Sequence, residues 1–306
     1  AHMDNLRGAL LMILAMFGFA VEDAFIKTVT QTVPLGQVLI YMGAAGGFIF
    51  AIIANRKGYC VWSRAFFHPM ILFRNAGEVV GTSAYVLSLT LIPLSLVSAL
   101  LQANPIFVAL GAILVFGERV GWRRWLAIGA GLAGVLIILR PWSAGFEPEA
   151  IVAIIAALGL SVRDLGSRHQ PRSVHPLQTS TWGFLLLVPI GAVMLWISGG
   201  AVRINATEGA MIGAAVALAM MGYHALTLAM QAGEVGFVTP FRYIRLVFGI
   251  AMGWALFAEQ PDGWMLTGAA IVVGAGLYTL IRERRLMARA PFQSQVSQVM
   301  TPPTDT

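Results

Sequence analysis

Several charged side chains stand deep inside apolar stretches of this sequence, and their spacing limits the chemistry open to them. Glu22 and Asp23 follow one another in GFAVEDAFIK, with Lys27 four residues beyond Asp23 on the same helical face. That spacing predicts a structural ion pair between Asp23 and Lys27, and likewise between Asp164 and Arg168 in GLSVRDLGSR. Glu22 has no such neighbour, which leaves it for substrate recognition or ion coupling. Arg74 and Glu78 repeat the four-residue spacing and form either an internal ion pair or half of a ligand site. Arg242 and Arg245 add two guanidinium groups within a span. Such a fork suits a carboxylate ligand, although one of the two could instead pair with Glu78 or Asp164.

Neutral polar residues extend the same theme. Thr82, Ser83 and Tyr85 follow Glu78, and a face mixing hydroxyls with an aromatic ring borders a wet cavity better than lipid. Ser95, Ser98 and Gln102 share a stripe, followed by Asn104 and by Pro105, which removes a backbone hydrogen bond and predicts a hinge. Tyr223, His224, Thr227 and Gln231 mark a later helix; His224 could bind a carboxylate, relay a proton, or simply be hydrogen-bonded scaffold. Thr239, Pro240, Phe241 and Tyr243 surround Arg242, with Pro240 a second candidate hinge and Tyr243 a candidate to pack a substrate side chain.

The elements that must position these residues are membrane helices. The chain is 58% hydrophobic and 11% charged, with a mean hydropathy of +0.78; soluble domains carry about a quarter charged residues. Apolar runs long enough to cross a bilayer predict ten helices, near 6–29, 34–54, 69–90, 93–116, 121–140, 148–167, 176–197, 207–231, 235–258 and 262–281. The sequence repeats at an offset of 141 residues: Gly18, Val21, Asp23 and Lys27 return as Gly159, Val162, Asp164 and Arg168, and Glu118 returns as Glu259. Five spans per copy, in units 4–145 and 146–285, make an inverted-topology repeat. Glu118 and Glu259 then fall at opposite surfaces, as latches or caps. GxxxG spacings at Gly43/Gly47, Gly209/Gly213 and Gly249/Gly253, and the glycine-dense stretches 129–134 and 268–276, predict close helix contacts. Arg7, Arg56, Lys57, Arg64, Arg119, Arg123, Arg124, Arg168, Arg172, Arg282, Arg284, Arg285 and Arg289 gather on one side, which puts both termini in the cytosol. Residues 1–3 read as an expression scar, and 286–306 as a disordered cytosolic tail.

The ten spans, the duplication, the first-helix pattern ending in Lys27 and the acidic closures at Glu118 and Glu259 resemble the drug/metabolite transporter superfamily, in its EamA-type branch. The stretch 236–259 (GFVTPFRYIRLVFGIAMGWALFAE) and the glycine-rich last helix ending GLYTLIRERR are especially similar to bacterial EamA-type exporters. The overall pattern is similar to YddG-type amino-acid exporters. The resemblance implies a bacterial inner-membrane transporter exporting small metabolites, aromatic and other amino acids foremost, by alternating access through a cavity between the halves. It implies no cofactor or metal, and as partners a small-molecule substrate and the bilayer, with the chain a monomer or weak homodimer. An exporter of drugs or other metabolites is the alternative. A membrane enzyme is disfavoured by the lack of any HExxH or Cys–His constellation, the single cysteine being Cys60. The basic balance is accounted for by loop charge, so no nucleic-acid partner is implied.

Overall fold

The computed structural model describes residues 2–118, 121–143, 146–232 and 235–299, and no strand occurs among them. The helices are α1 His2–Val29, α2 Leu35–Arg56, α3 Pro69–Leu91, α4 Leu94–Leu101, α5 Asn104–Phe116, α6 Trp122–Leu139, α7 Ala150–Arg168, α8 Pro176–Ile197, α9 Ala206–Ala232, α10 Val235–Val238, α11 Ile244–Phe257 and α12 Gly263–Val299. Short 3-10 turns cover Arg64–Phe67 and Thr239–Tyr243. A run of apolar residues this long can satisfy its backbone away from water only by winding into helix, which is why composition so directly sets the architecture.

Among the described residues, eight segments are long and apolar enough to cross a membrane, the α4–α5 pair counting as one. Two expected spans fall outside that group, α3 and the broken run α10–α11. Both carry arginines in their length, and α10–α11 is also interrupted. The fourth run is not one kinked helix, as Pro105 predicted. It splits into α4 and α5 where the amides of Gln102 and Ala103 bond to Ala99 and Leu100, the tighter three-residue pattern. Pro105 opens α5, where its missing N–H costs nothing. Pro240 likewise sits at the start of a 3-10 turn rather than inside a helix. At the other extreme, α12 runs from Gly263 to Val299. Residues 300–306, Arg119 and the side chains of Thr227 and Gln231 lie outside the described residues.

Helix pairing follows the repeat. α1 packs on α9 and α3 on α7, while α2 meets α8, α4 meets α11 and α6 meets α12. Exchanging the two halves of the sequence leaves the pairs α1–α9 with α3–α7, α2–α8 and α6–α12 unchanged, whereas α4–α11 would become α5–α10, which do not pack in this way. The agreement reaches single residues. A Cβ on Gly18 would meet Leu218 and Gly222 of α9, and one on Gly159 would meet Gly77 and Gly81 of α3, which precede Leu218 and Gly222 by the repeat offset. The α3–α7 contact is the closer. A methyl group on Gly159 would lie 2.5 Å from the Gly81 nitrogen, so glycine is required there for the backbones to touch. Gly134 and Gly268 make the same close approach between α6 and α12, and Gly43 and Gly47 do so against α8. Gly209 and Gly213 make no such contact. Outside this packed interior, Phe48, Leu114, Met221, Val247 and Trp254 are exposed, as a surface solvated by lipid would be.

Candidate functional site

The close approach of α3 to α7 brings two charged pairs together. Arg74 donates to Glu78 at 2.8 Å, one of the two arrangements the spacing allows, and also to the Asn75 side chain and the Thr179 carbonyl. Glu78 accepts a further bond from Thr82 and lies 3.6 Å from Arg163 of α7. Arg163 in turn holds Asp164 at 2.9 Å. Asp164 completes the chain by accepting from Asn104 at 3.0 Å, and Ser161 donates to the Asn104 oxygen at 2.6 Å. This network alternates arginine and carboxylate across α3, α7 and the break between α4 and α5.

A second network joins α1, α3 and α11. Asp23, almost fully buried, accepts from Arg245 at 2.8 Å and from the Tyr85 hydroxyl. Arg245 also reaches Tyr85 at 2.8 Å and lies over the rings of Phe19 and Tyr85. Asn104 and Arg245 occupy equivalent repeat positions, as do Asp164 and Asp23. Each half therefore supplies an aspartate from its first helix and receives a donor from the broken span of the other half. About a quarter of the Arg245 and Asp164 side-chain surface remains accessible, so both networks border open space rather than closed core.

The intrahelical pairs predicted for Asp23–Lys27 and Asp164–Arg168 are not made. Lys27 instead extends to the end of α3, donating to the carbonyls of Leu89 at 2.9 Å and Ile92 at 2.7 Å, and lies 3.9 Å from Glu259. A long ammonium stem gains more from a helix C-terminus, whose carbonyls are unsatisfied, than from a carboxylate already held by arginine. Glu259 accepts from the amides of Leu94 and Ser95 and from the Ser95 hydroxyl at 2.6–2.8 Å, capping α4. A cavity of about 170 Å³ lies beside it, lined in part by Arg140, Glu147 and Asp262. At the other end Arg168 is exposed.

Other expected site residues are dispersed. Tyr243 is buried against Gly276 of α12, its hydroxyl without a hydrogen bond, and does not face the charges. His224 shares an exposed stripe with Ala217, Met221 and Leu228, on the side of α9 away from the networks. Tyr223 lies against Phe50, within reach of the Ser180 hydroxyl, and Gln102 is half-buried at the end of α4. Arg242 stays exposed, one turn before Arg245 and within electrostatic reach of Asp164 and Arg163. Arg163, the link between both halves of the α3–α7 network, escaped the sequence reading. The signal was present: an arginine stands where the first copy has Glu22, next to a repeated aspartate in an apolar run. Among the described residues no group of His, Cys, Asp and Glu could hold a metal ion.

A duplicated, all-helical bundle with charges exchanged between its halves defines a class, that of small-molecule membrane transporters, and the chain belongs to the EamA-like transporter family, whose pattern matches twice, over residues 6–140 and 148–281. It is 30% identical to a riboflavin transporter of Rhizobium johnstonii, covering 91% of this chain and 92% of that protein. It is 26% identical to a pseudopaline exporter of Pseudomonas aeruginosa, over 88% and 94%, and 23% identical to an S-adenosylmethionine uptake transporter of Rickettsia prowazekii, over 87% and 85%. A crystal structure with a TM-score of 0.60 and 20% identity, covering 91% of this chain and 98% of that one, shares the fold. The chain is a multi-pass membrane transporter, not an enzyme.

Proposed function

We propose that the protein sits in a bacterial inner membrane with ten spans and both termini cytosolic, and exports amino acids by alternating access between two inverted repeats. The observation that carries this reading is the reciprocal bonding of Asp23 to Arg245 and of Asp164 to Asn104. Each contact joins the first helix of one half to the broken span of the other, so a rocking motion of the halves must pivot on or break these pairs. Counting α3 and α10–α11 as spans is supported by their alignment with the repeat and by the partners that Arg74, Glu78 and Arg245 find on other helices, which lowers the cost of crossing lipid. Basic residues at Arg56, Lys57, Arg123, Arg124 and Arg168 support the cytosolic placement of that end. The chain acts as a monomer or weak homodimer, and its exposed apolar belt faces lipid.

An amino-acid cargo is supported by carboxylate and guanidinium groups that border open space together with the Tyr85 and Phe19 rings. A second reading, riboflavin as cargo, is favoured by the 30% identity to a riboflavin transporter across 91% of the chain. The named relatives include both an exporter and an uptake transporter, so direction needs its own measurement. Counterflow into proteoliposomes, with an amino-acid panel and riboflavin, with and without a pH gradient, tests all of this. Saturable exchange of amino acids is expected. Exchange of riboflavin with no amino-acid flux would replace the first reading by the second.

A further inference from the structure

A buried glutamine near each end of the molecule holds a loop of the opposite half. Gln37, at the start of α2, grips Val202 by both backbone groups, donating to its carbonyl at 2.9 Å and accepting from its amide at 3.0 Å. Gln178, at the start of α8, donates to the Cys60 carbonyl at 2.6 Å and accepts from the His175 amide at 2.9 Å. Trp182 adds a bond to the Val61 carbonyl at 2.9 Å. Gln37 and Gln178, Tyr41 and Trp182, and Val61 and Val202 each stand 141 residues apart, so the two clasps are copies of one another. The loop between α2 and α3 is held by α8, and the loop between α8 and α9 by α2. Between the clasps the two helices touch backbone to backbone. A Cβ on Gly36 would lie 2.4 Å from the Gly191 carbonyl oxygen, one on Gly191 2.6 Å from that of Gly36, and one on Gly43 2.7 Å from that of Phe184. A buried carboxamide stripped of its partners is costly, so neither clasp opens unless its loop and helix separate altogether.

Other contacts between the halves are made by one copy only. Glu259 accepts from the amides of Leu94 and Ser95, whereas its counterpart Glu118 is exposed and reaches Arg124 only at 3.9 Å. In a chain of two inverted copies, the opposite-facing conformation arises when the copies exchange conformations. A contact made by one copy alone is then broken and remade at the other end. A contact made by both is carried into itself and stays shut. The α2–α8 pair meets that condition as a whole, because the exchange turns α2 into α8 and each clasp into the other. We propose that the two glutamine clasps weld α2 to α8 as the fixed axis of the transport cycle, about which the ends bearing Glu118 and Glu259 open in turn. This rests on the alternating-access reading and adds which part of the bundle stays still.

Hydrogen–deuterium exchange of the full chain in nanodiscs, resolved to single residues by electron-transfer fragmentation, compares two amides held by side chains at the same end. Val202 is bonded to Gln37 and Ser95 to Glu259. Bond strength alone would protect Ser95 more, because its acceptor is charged. The fixed axis reverses that order: Val202 should be protected at least roughly tenfold more than Ser95, since only the Ser95 bond is broken in each cycle. Gln37→Leu should abolish the protection of Val202. Transport supplies a second measurement, by counterflow of L-phenylalanine and of riboflavin. Linking Cys60 to Gln178→Cys with a short bis-methanethiosulfonate reagent replaces the cytosolic clasp by a covalent one and should leave flux unchanged. Linking Ser95→Cys to Glu259→Cys in a Cys60→Ser background should stop it. Val202 protected no better than Ser95, or flux lost when the clasp is linked, overturns the fixed axis and leaves alternating access standing. Full flux with the Glu259 end linked overturns both.

Discussion

Glu259 accepts three hydrogen bonds from the start of α4 and lies 3.9 Å from Lys27, whereas Glu118, its counterpart in the first repeat, is nearly half exposed and reaches Arg124 only at 3.9 Å. Lys27 is tied to the end of α3, while its counterpart Arg168 is exposed. The two ends of the molecule hold corresponding residues in the same order, tightly bonded at one end and exposed at the other. Sequence duplication therefore supplies two bolts without requiring both to be closed. That is what a transporter working by alternating access needs, since closing both ends traps the cargo and opening both makes a pore. In this conformation the closed end is the one we assign to the exterior.

The sharpest way to break the comparison is to remove the two glutamates separately. Glu259→Ala should destabilise the purified protein by about 3–5 kcal/mol in thermal or denaturant unfolding, because it strips the cap from α4 and leaves Lys27 beside no carboxylate. Glu118→Ala should change stability by less than about 0.5 kcal/mol, as expected of an exposed side chain. The Glu259 variant should also let an impermeant maleimide reach Ser98→Cys, buried at 5% exposure one turn into α4, in a Cys60→Ser background. Equal losses from the two glutamates would mean that the ends are not in different states.

The next effect is smaller. Lys27→Met removes two bonds to the carbonyls of Leu89 and Ile92 and should cost about 1–3 kcal/mol, with Arg168→Met near neutral. A loss for Arg168→Met as large as that for Lys27→Met would show its end to be engaged in solution.

The frame was legible in the sequence because hydrophobicity alone dictates helices in lipid, and the repeated Asp23/Asp164 and Glu118/Glu259 mark equivalent places. Bonding partners were less legible, for a physical reason. Sequence spacing exposes only neighbours within one helix, so Lys27 and Arg168 were read as the partners of the aspartates. Asp164 pairs with its neighbour Arg163, and the remaining partners, Arg245 for Asp23 and Asn104 for Asp164, lie across the bundle, brought in by glycine contacts whose geometry no local pattern reveals. The same limit applies to His224. Its spacing puts it on a stripe with Met221 and Leu228, but only the neighbouring helices decide that this stripe looks outward. The Arg74–Glu78 pair, one of the two readings left open, was within reach of sequence spacing because both partners lie on one helix.

The finest difference between the ends is one backbone angle. α5 ends at Gly117, with φ +67°, and α11 ends at Ala258, with φ +52°; each is left-handed and immediately precedes the glutamate of its end. Glycine adopts that conformation freely, whereas alanine pays roughly 1 kcal/mol. Ala258→Gly should therefore stabilise the protein by up to about 1 kcal/mol, reduced by the added freedom of the unfolded chain, and Gly117→Ala should destabilise it by about the same amount. No atom would crowd a Cβ at Gly117, so its loss should be purely conformational. Unfolding midpoints of the two variants measure both signs. If Ala258→Gly instead weakens the protein as much as Lys27→Met does, the strained alanine is restricting the chain so that Glu259 is aimed at α4, and the closed end is held by its backbone as well as by its charges.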